Sequence, residues 1–299
     1  MNKGVFYGVG AYLLWGLLPI FWKSLHHVPA LEILAHRMVW SLAFVVVLLA
    51  VQGHWRWLVP VLKNGRVLLT FTVSALLLSL NWFIYIWAVN AGHIVETSLG
   101  YFINPLLNVL LGTLFLKERL RPGQVAAIIV ATIGVLYLTL HYGSLPWIAL
   151  TLGGSFAIYG LLRKTAALNS LEGLTLETLV LFLPALAYLV YVEFVGTAAF
   201  VHTGLTTTLL LIAGGVATAL PLLLFASGAR RITLTLIGIL QYIAPTMQFL
   251  IGVFLYHEPL DSDRLIGFSL IWLALAIYSL EGILRSGRSA RLRAAPQKP

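Results

Sequence analysis

Arg37 and Glu177 stand inside long apolar stretches, 140 residues apart. A charge near the centre of a bilayer costs about 2.5–3.5 kcal/mol on insertion scales, so each needs a task or a local partner. A buried guanidinium can receive a carboxylate or another anionic group. A buried carboxylate can receive an amine or a proton, which makes Glu177 a candidate for proton coupling. The competing reading is that each side chain reaches its nearest interface or pairs with a neighbour.

Amides, phenols and prolines recur in the same stretches. Asn81 and Tyr85 are four residues apart, as are Asn104 and Asn108, so each pair shares a helix face. Tyr101 precedes the second pair, and Gln241 and Gln248 occupy a matching stretch nearer the C-terminus. Amides facing lipid would leave hydrogen bonds unmade, so these should point inward. There they can bind a small molecule or tie helices together, each tie contributing about 0.6 kcal/mol. Trp15 and Tyr159 each precede a glycine and are candidate aromatic walls of a binding cavity. Pro105 and Pro245 each remove one helical hydrogen bond and are candidate hinges. Glu118 and Glu258, at the ends of their apolar runs, are candidate gate or structural residues.

Patterns for catalysis and metal binding are missing. The chain has no cysteine, and its two aspartates, Asp261 and Asp263, share one short polar segment. It has no Gly-x-x-x-x-Gly-Lys-Ser/Thr loop and no His-Glu-x-x-His motif. Gly153-Gly154-Ser155 suggests a nucleophile, but nothing in the sequence suggests its base. The chain therefore reads as a non-enzyme with no cofactor, no metal site and no direct use of ATP.

The elements holding these residues must be membrane-spanning helices. Of 299 residues, 60% are hydrophobic and 10% charged, against about a quarter charged in a typical soluble protein. Mean hydropathy is +0.94. That leaves too little polar surface for a soluble domain. A spanning helix needs about 20 mostly apolar residues. Ten runs qualify: 4–22, 31–51, 67–89, 94–116, 123–141, 144–162, 174–192, 207–227, 233–255 and 265–284. An outer-membrane barrel would instead show alternating segments of about ten residues. The first run contains Trp15, Pro19 and Trp22 and lacks a small-x-small exit, so it reads as a span and not as a cleaved signal. With the N-terminus inside, sixteen of the nineteen basic residues fall in inner segments, as the positive-inside rule predicts. The net charge of +9 thus orients the chain and does not recruit nucleic acid. The basic tail 285–299 is expected to be cytoplasmic and disordered.

At an offset of 140, residues 103–120 align with 243–260. Ile103/Ile243, Pro105/Pro245, Leu110/Leu250, Gly112/Gly252, Glu118/Glu258 and Leu120/Leu260 coincide. The matched proline, glycine and glutamate weigh most, because they are uncommon in apolar runs. Each half, 1–141 and 144–284, holds five runs. Five is odd, so the second half enters the membrane from the opposite side, and both termini lie in the cytoplasm. Inverted repeats of this kind hold their sites near mid-depth and suit a carrier that opens alternately to either side.

Glu96-Thr-Ser-Leu-Gly-Tyr-Phe-Ile-Asn-Pro-Leu106, with Trp87-Ala-Val-Asn90 before it, resembles the RarD family of bacterial permeases. Gly143-Ser-Leu-Pro-Trp147, Tyr159-Gly-Leu-Leu-Arg-Lys164, Leu176-Glu177-Thr178 and Gln241-Tyr-Ile-Ala-Pro245 extend the likeness over about 4–284. The resemblance implies an EamA-type member of the drug/metabolite transporter superfamily. It implies an all-α membrane protein of the bacterial cytoplasmic membrane, with ten helices in a 5+5 inverted repeat around a central cavity. It also implies export or exchange of small metabolites, often amino acids. The expected function is secondary active transport of a small polar or amphipathic metabolite by alternating access. Its expected partners are that small molecule and the lipid bilayer, with proton or substrate gradients as the energy source. A passive channel or facilitator and a membrane enzyme are the alternatives, and the oligomeric state stays open.

Overall fold

The computed structural model describes residues 2–90, 94–142, 147–256 and 262–294. A bilayer offers no water to spare backbone groups, so a spanning segment must satisfy them internally. Accordingly, the described residues of the apolar runs are helical apart from a break at Tyr242, with no strand among the described residues. In chain order they form α1 (Lys3–Lys23), α2 (Ala30–Gln52), a short α3 (Leu58–Leu62), α4 (Gly65–Asn90), α5 (Ile94–Leu116) and α6 (Pro122–Tyr142). Then follow α7 (Trp147–Thr165), α8 (Ser170–Val195), α9 (Leu205–Ala229), α10 (Leu234–Gln241), α11 (Ile243–Leu250), a π-helical turn (Ile251–Leu255) and α12 (Ser262–Ala294).

Seven stretches of described residues are long and apolar enough to cross a membrane, with α10, α11 and the π turn counted as one. Outside the seven are α5, α7 and α12. Gly153, Gly154, Ser155 and the terminal Arg163-Lys164 dilute α7. Short loops carry explicit caps. Asn2 and Thr233 accept backbone N–H groups at the starts of α1 and α10, and Asn169 with Glu172 forms a capping box on α8. Gly53 and Gly196 close α2 and α8 in the left-handed conformation.

Both α1 and α2 pack on α9, and α1 also packs on α10 and α11; α7 packs on α4 and α5. Further contacts join α8 to α2 and α4, α6 to α12, and α5 to α10. Small residues permit the closest crossings, as expected where lipid removes any hydrophobic drive between helices. A Cβ on Gly215 of α9 would lie 2.4 Å from the Trp40 carbonyl carbon of α2. Tyr12, Tyr159, Leu222 and Phe225 are buried at the centre, whereas Leu140, Leu183, Phe194 and Phe254 stand exposed, an arrangement suited to lipid.

The matched prolines differ in outcome. Pro245 falls in the first turn of α11, just past a break at Tyr242, where a missing N–H costs least. Through Pro105, α5 runs without interruption. At the C-terminus α12 continues to Ala294, so most of the tail expected to be disordered is helical. No proline interrupts it before Pro296.

Candidate functional site

Arg37 lies seven residues into α2, about 10 Å from the helix start at 1.5 Å per residue. Its Nε donates to Thr218 Oγ1 of α9 at 2.8 Å, and the same hydroxyl donates to the Gly214 carbonyl at 2.7 Å. The guanidinium carbon is 4.7 Å from the ring centres of both Trp22 of α1 and Trp82 of α4. Such cation–π contacts contribute about 0.5–2 kcal/mol each, depending on desolvation. Among the described residues no carboxylate lies within 4.0 Å of Arg37, and its terminal nitrogens make no hydrogen bond. Tyr85 and Tyr101, with ring centres 6.2 Å apart, are its electrostatic neighbours. Arg37, Tyr85 and Trp22 line a cavity of about 640 Å³. That volume lies within the range of small-molecule sites, about 300–1,000 Å³.

Glu177 is fully buried elsewhere in the fold. The Ser74 hydroxyl of α4 donates to its Oε1, Tyr159 of α7 donates to its Oε2 at 3.4 Å, and Arg163 Nη1 lies 3.7 Å from Oε1. Arg163, in the last turn of α7, is only 1% exposed. Arg163 Nη2 donates to the Ser170 carbonyl at 3.0 Å, and the guanidinium faces Phe71 at 5.3 Å. Gly173 makes the room: a Cβ there would sit 1.9 Å from Arg163 Nη1. The structure therefore does not pair Arg37 with Glu177. Each instead meets a hydroxyl from another helix, Thr218 for Arg37 and Ser74 for Glu177.

The amides are hydrogen-bonded across helices. Asn81 donates to the Leu152 carbonyl at 2.8 Å and to Ser155 Oγ at 3.0 Å. Asn104 donates to the Gly153 carbonyl at 2.6 Å. Asn108 donates to Asn104 Oδ1 at 2.9 Å and to Gln241 Oε1 at 3.4 Å, which links α5 to α7 and α10. Gln248 donates to the Trp15 carbonyl at 3.3 Å. Trp15 and Tyr159 join one aromatic cluster. Trp15 lies 5.6 Å from Phe156 and 5.7 Å from Phe225, and Tyr159 stacks on Phe225 at 5.9 Å.

Glu118 caps α10, accepting from the Leu234 and Thr235 backbone N–H groups at 2.6 and 2.9 Å and from Thr235 Oγ1 at 2.7 Å. The helix N-terminus favours that negative charge. Glu258 lies outside the described residues. Sequence reasoning missed Trp22, Thr218, Ser74 and Arg163 as partners. Only the rarity of a hydroxyl or indole in such apolar runs could have flagged them.

The profile of the EamA-like transporter family matches residues 2–140. Protein RarD of Streptomyces exfoliatus is 47% identical over 98% of this chain and 94% of its own length. Protein RarD of Escherichia coli is 42% identical over 97% and 98%. The chain belongs to the RarD family. The family is EamA-type, within the drug/metabolite transporter superfamily. The Bacillus subtilis transporter YojE is 49% identical over 94% of this chain and 95% of its own. A solved crystal structure with 21% identity superposes with a TM-score of 0.72 over 93% of this chain and 98% of its own, so the fold is shared. RarD-family membership makes the chain a multi-pass transporter of the bacterial cytoplasmic membrane and not an enzyme.

Proposed function

We propose a secondary active transporter that carries a small polar or amphipathic metabolite by alternating access, with Arg37 as the anchor for an anionic group. The observation that carries this reading is the Arg37 guanidinium, held between Trp22 and Trp82 at a cavity and lacking a carboxylate partner among the described residues. An unpaired charge among apolar helices is costly, so it is retained where a ligand can meet it. Tyr85 and Tyr101 flank this anchor, and Asn81, Asn104, Asn108, Gln241, Gln248, Trp15 and Tyr159 hold the surrounding helices in register. Amino acids and related compounds are the family-based starting point for a substrate.

The proposed framework is ten helices in two inverted halves, 1–141 and 144–284, with both termini in the cytoplasm. Helix contacts support it. Exchanging each long helix with the one five places on maps α1–α9 packing onto α7–α4, α2–α9 onto α8–α4, and α5–α7 onto α11–α1. The α2–α8, α6–α12 and α5–α10 contacts map onto themselves. Tyr242 donates to the carbonyl of Phe102, its partner at the 140-residue offset, at 3.3 Å. Arg119, Arg121, Lys164, Arg230 and Arg231 converge with Asn2 on one cavity of about 600 Å³, as a common cytoplasmic end would require. Pro105 and Pro245 are the proposed hinges, and the Glu118 cap on α10 is a contact that closes the cytoplasmic end.

Energy comes from a proton or substrate gradient, with Glu177 as the proton-binding group, because protonation would dissolve its pair with Arg163. Purified protein in liposomes tests the scheme, after a metabolite pool is screened for compounds that raise thermal stability. Saturable uptake with counterflow from preloaded vesicles is expected; linear, unsaturable flux would instead mark a channel.

A further inference from the structure

Trp82 touches Arg37 and lines a second cavity beside it. Its ring lies 4.7 Å from the Arg37 guanidinium and also lines a second cavity of about 250 Å³, walled by α2, α4 and α8. Ala35, Met38, Phe83 and Ala185 make this second space almost wholly apolar. It meets the Arg37 cavity at Leu31, Leu34 and Tyr188, which line both. Leu31 and Phe83 are exposed, so the groove opens toward the membrane face of the bundle. The Arg37 cavity and the apolar slot therefore adjoin, with Trp82 in contact with the guanidinium on one side and the slot on the other.

The charges around the site narrow the ligand further. A zwitterion needs an anionic partner for its ammonium group, yet no carboxylate is among the described residues that line the Arg37 cavity. Glu177, its counterpart by sequence offset, is taken up by Arg163, Ser74 and Tyr159. A cationic ligand would meet the Arg37 charge directly. We infer that the substrate is not a free amino acid but an amphipathic anion, whose anionic end sits on Arg37 and whose apolar arm passes Trp82 into the groove. The inference rests on the Arg37 cavity being the substrate site.

The test uses the full-length protein in phosphatidylcholine nanodiscs, with straight-chain carboxylates from acetate to octanoate and matched alkylamines as probes. Binding is measured by calorimetry against empty nanodiscs, which removes partition into lipid. Carboxylates are expected to bind about fourfold tighter per added methylene until the groove is filled, and then level off. Amines of the same length should not bind. Arg37→Gln should weaken every carboxylate at least tenfold. Ala185→Trp, or the milder Ser79→Leu if that variant misfolds, should flatten the dependence on chain length. Equal binding of amines would overturn the inference. So would a slope no steeper than that of empty nanodiscs, or a steep slope that survives both groove variants. A flat slope with binding and counterflow still dependent on Arg37 would sink the groove alone. If Arg37→Gln changes neither binding nor counterflow, the substrate-site reading fails with it.

Discussion

Arg37 and Arg163 show how neighbours decide what an arginine within the helix bundle does. Arg163 meets a carboxylate, a carbonyl and a phenyl ring, and Gly173 leaves space for it. Removing one member of such a pair strands the other, at a cost of about 3–5 kcal/mol, whereas replacing both by apolar groups can be neutral. Arg163→Met alone is therefore expected to lower thermal stability in detergent strongly, and Arg163→Met with Glu177→Leu to restore most of it. The proton-coupling role needs a variant that folds, so Glu177→Gln is combined with Arg163→Gln. Loss of pH-driven uptake with substrate binding kept is the expected result, and unchanged coupling would end that assignment. Among the described residues Arg37 has no such partner, so its loss should appear in transport more than in stability. Arg37→Lys keeps the charge but loses the Thr218 geometry, and about a tenfold rise in the KM for uptake is expected. The two charges were legible as outliers in apolar runs. Their partners were not, because a contact between Arg37 and Thr218 spans 181 residues and carries no local pattern.

Helix packing in this bundle relies on close approach. Gly215→Val would drive its side chain into the Trp40 backbone, 2.4 Å from the Cβ position, and should abolish recovery of folded protein as judged by size-exclusion profile. Glu118→Ala removes three hydrogen bonds from the start of α10. A loss of about 1–2 kcal/mol is expected by thermal denaturation, in line with other N-terminal caps. Apolar runs predicted the helices well, since length and hydropathy are local properties. The break at Tyr242 was harder to see, because Pro105 and Pro245 are identical signals with different outcomes. The run 144–162 stops short of the end of α7 at Thr165, because Arg163 and Lys164 interrupt its apolar pattern.

The proposed arrangement, two five-helix halves turned over relative to one another, would give a molecule whose two open forms differ little in energy. Duplicated sequence, exchangeable helix contacts and a charged end bearing Asn2 all fit that scheme. The scheme requires the Arg37 cavity to be reachable first from one side of the membrane and then from the other. The chain has no cysteine, so Tyr85→Cys would carry a single thiol on the wall of that cavity. Membrane-impermeant maleimide applied to right-side-out and inside-out vesicles measures its access directly. The account predicts labelling from both sides, slowed in each case by bound substrate. Labelling from one side only, whichever vesicles are used, would contradict it.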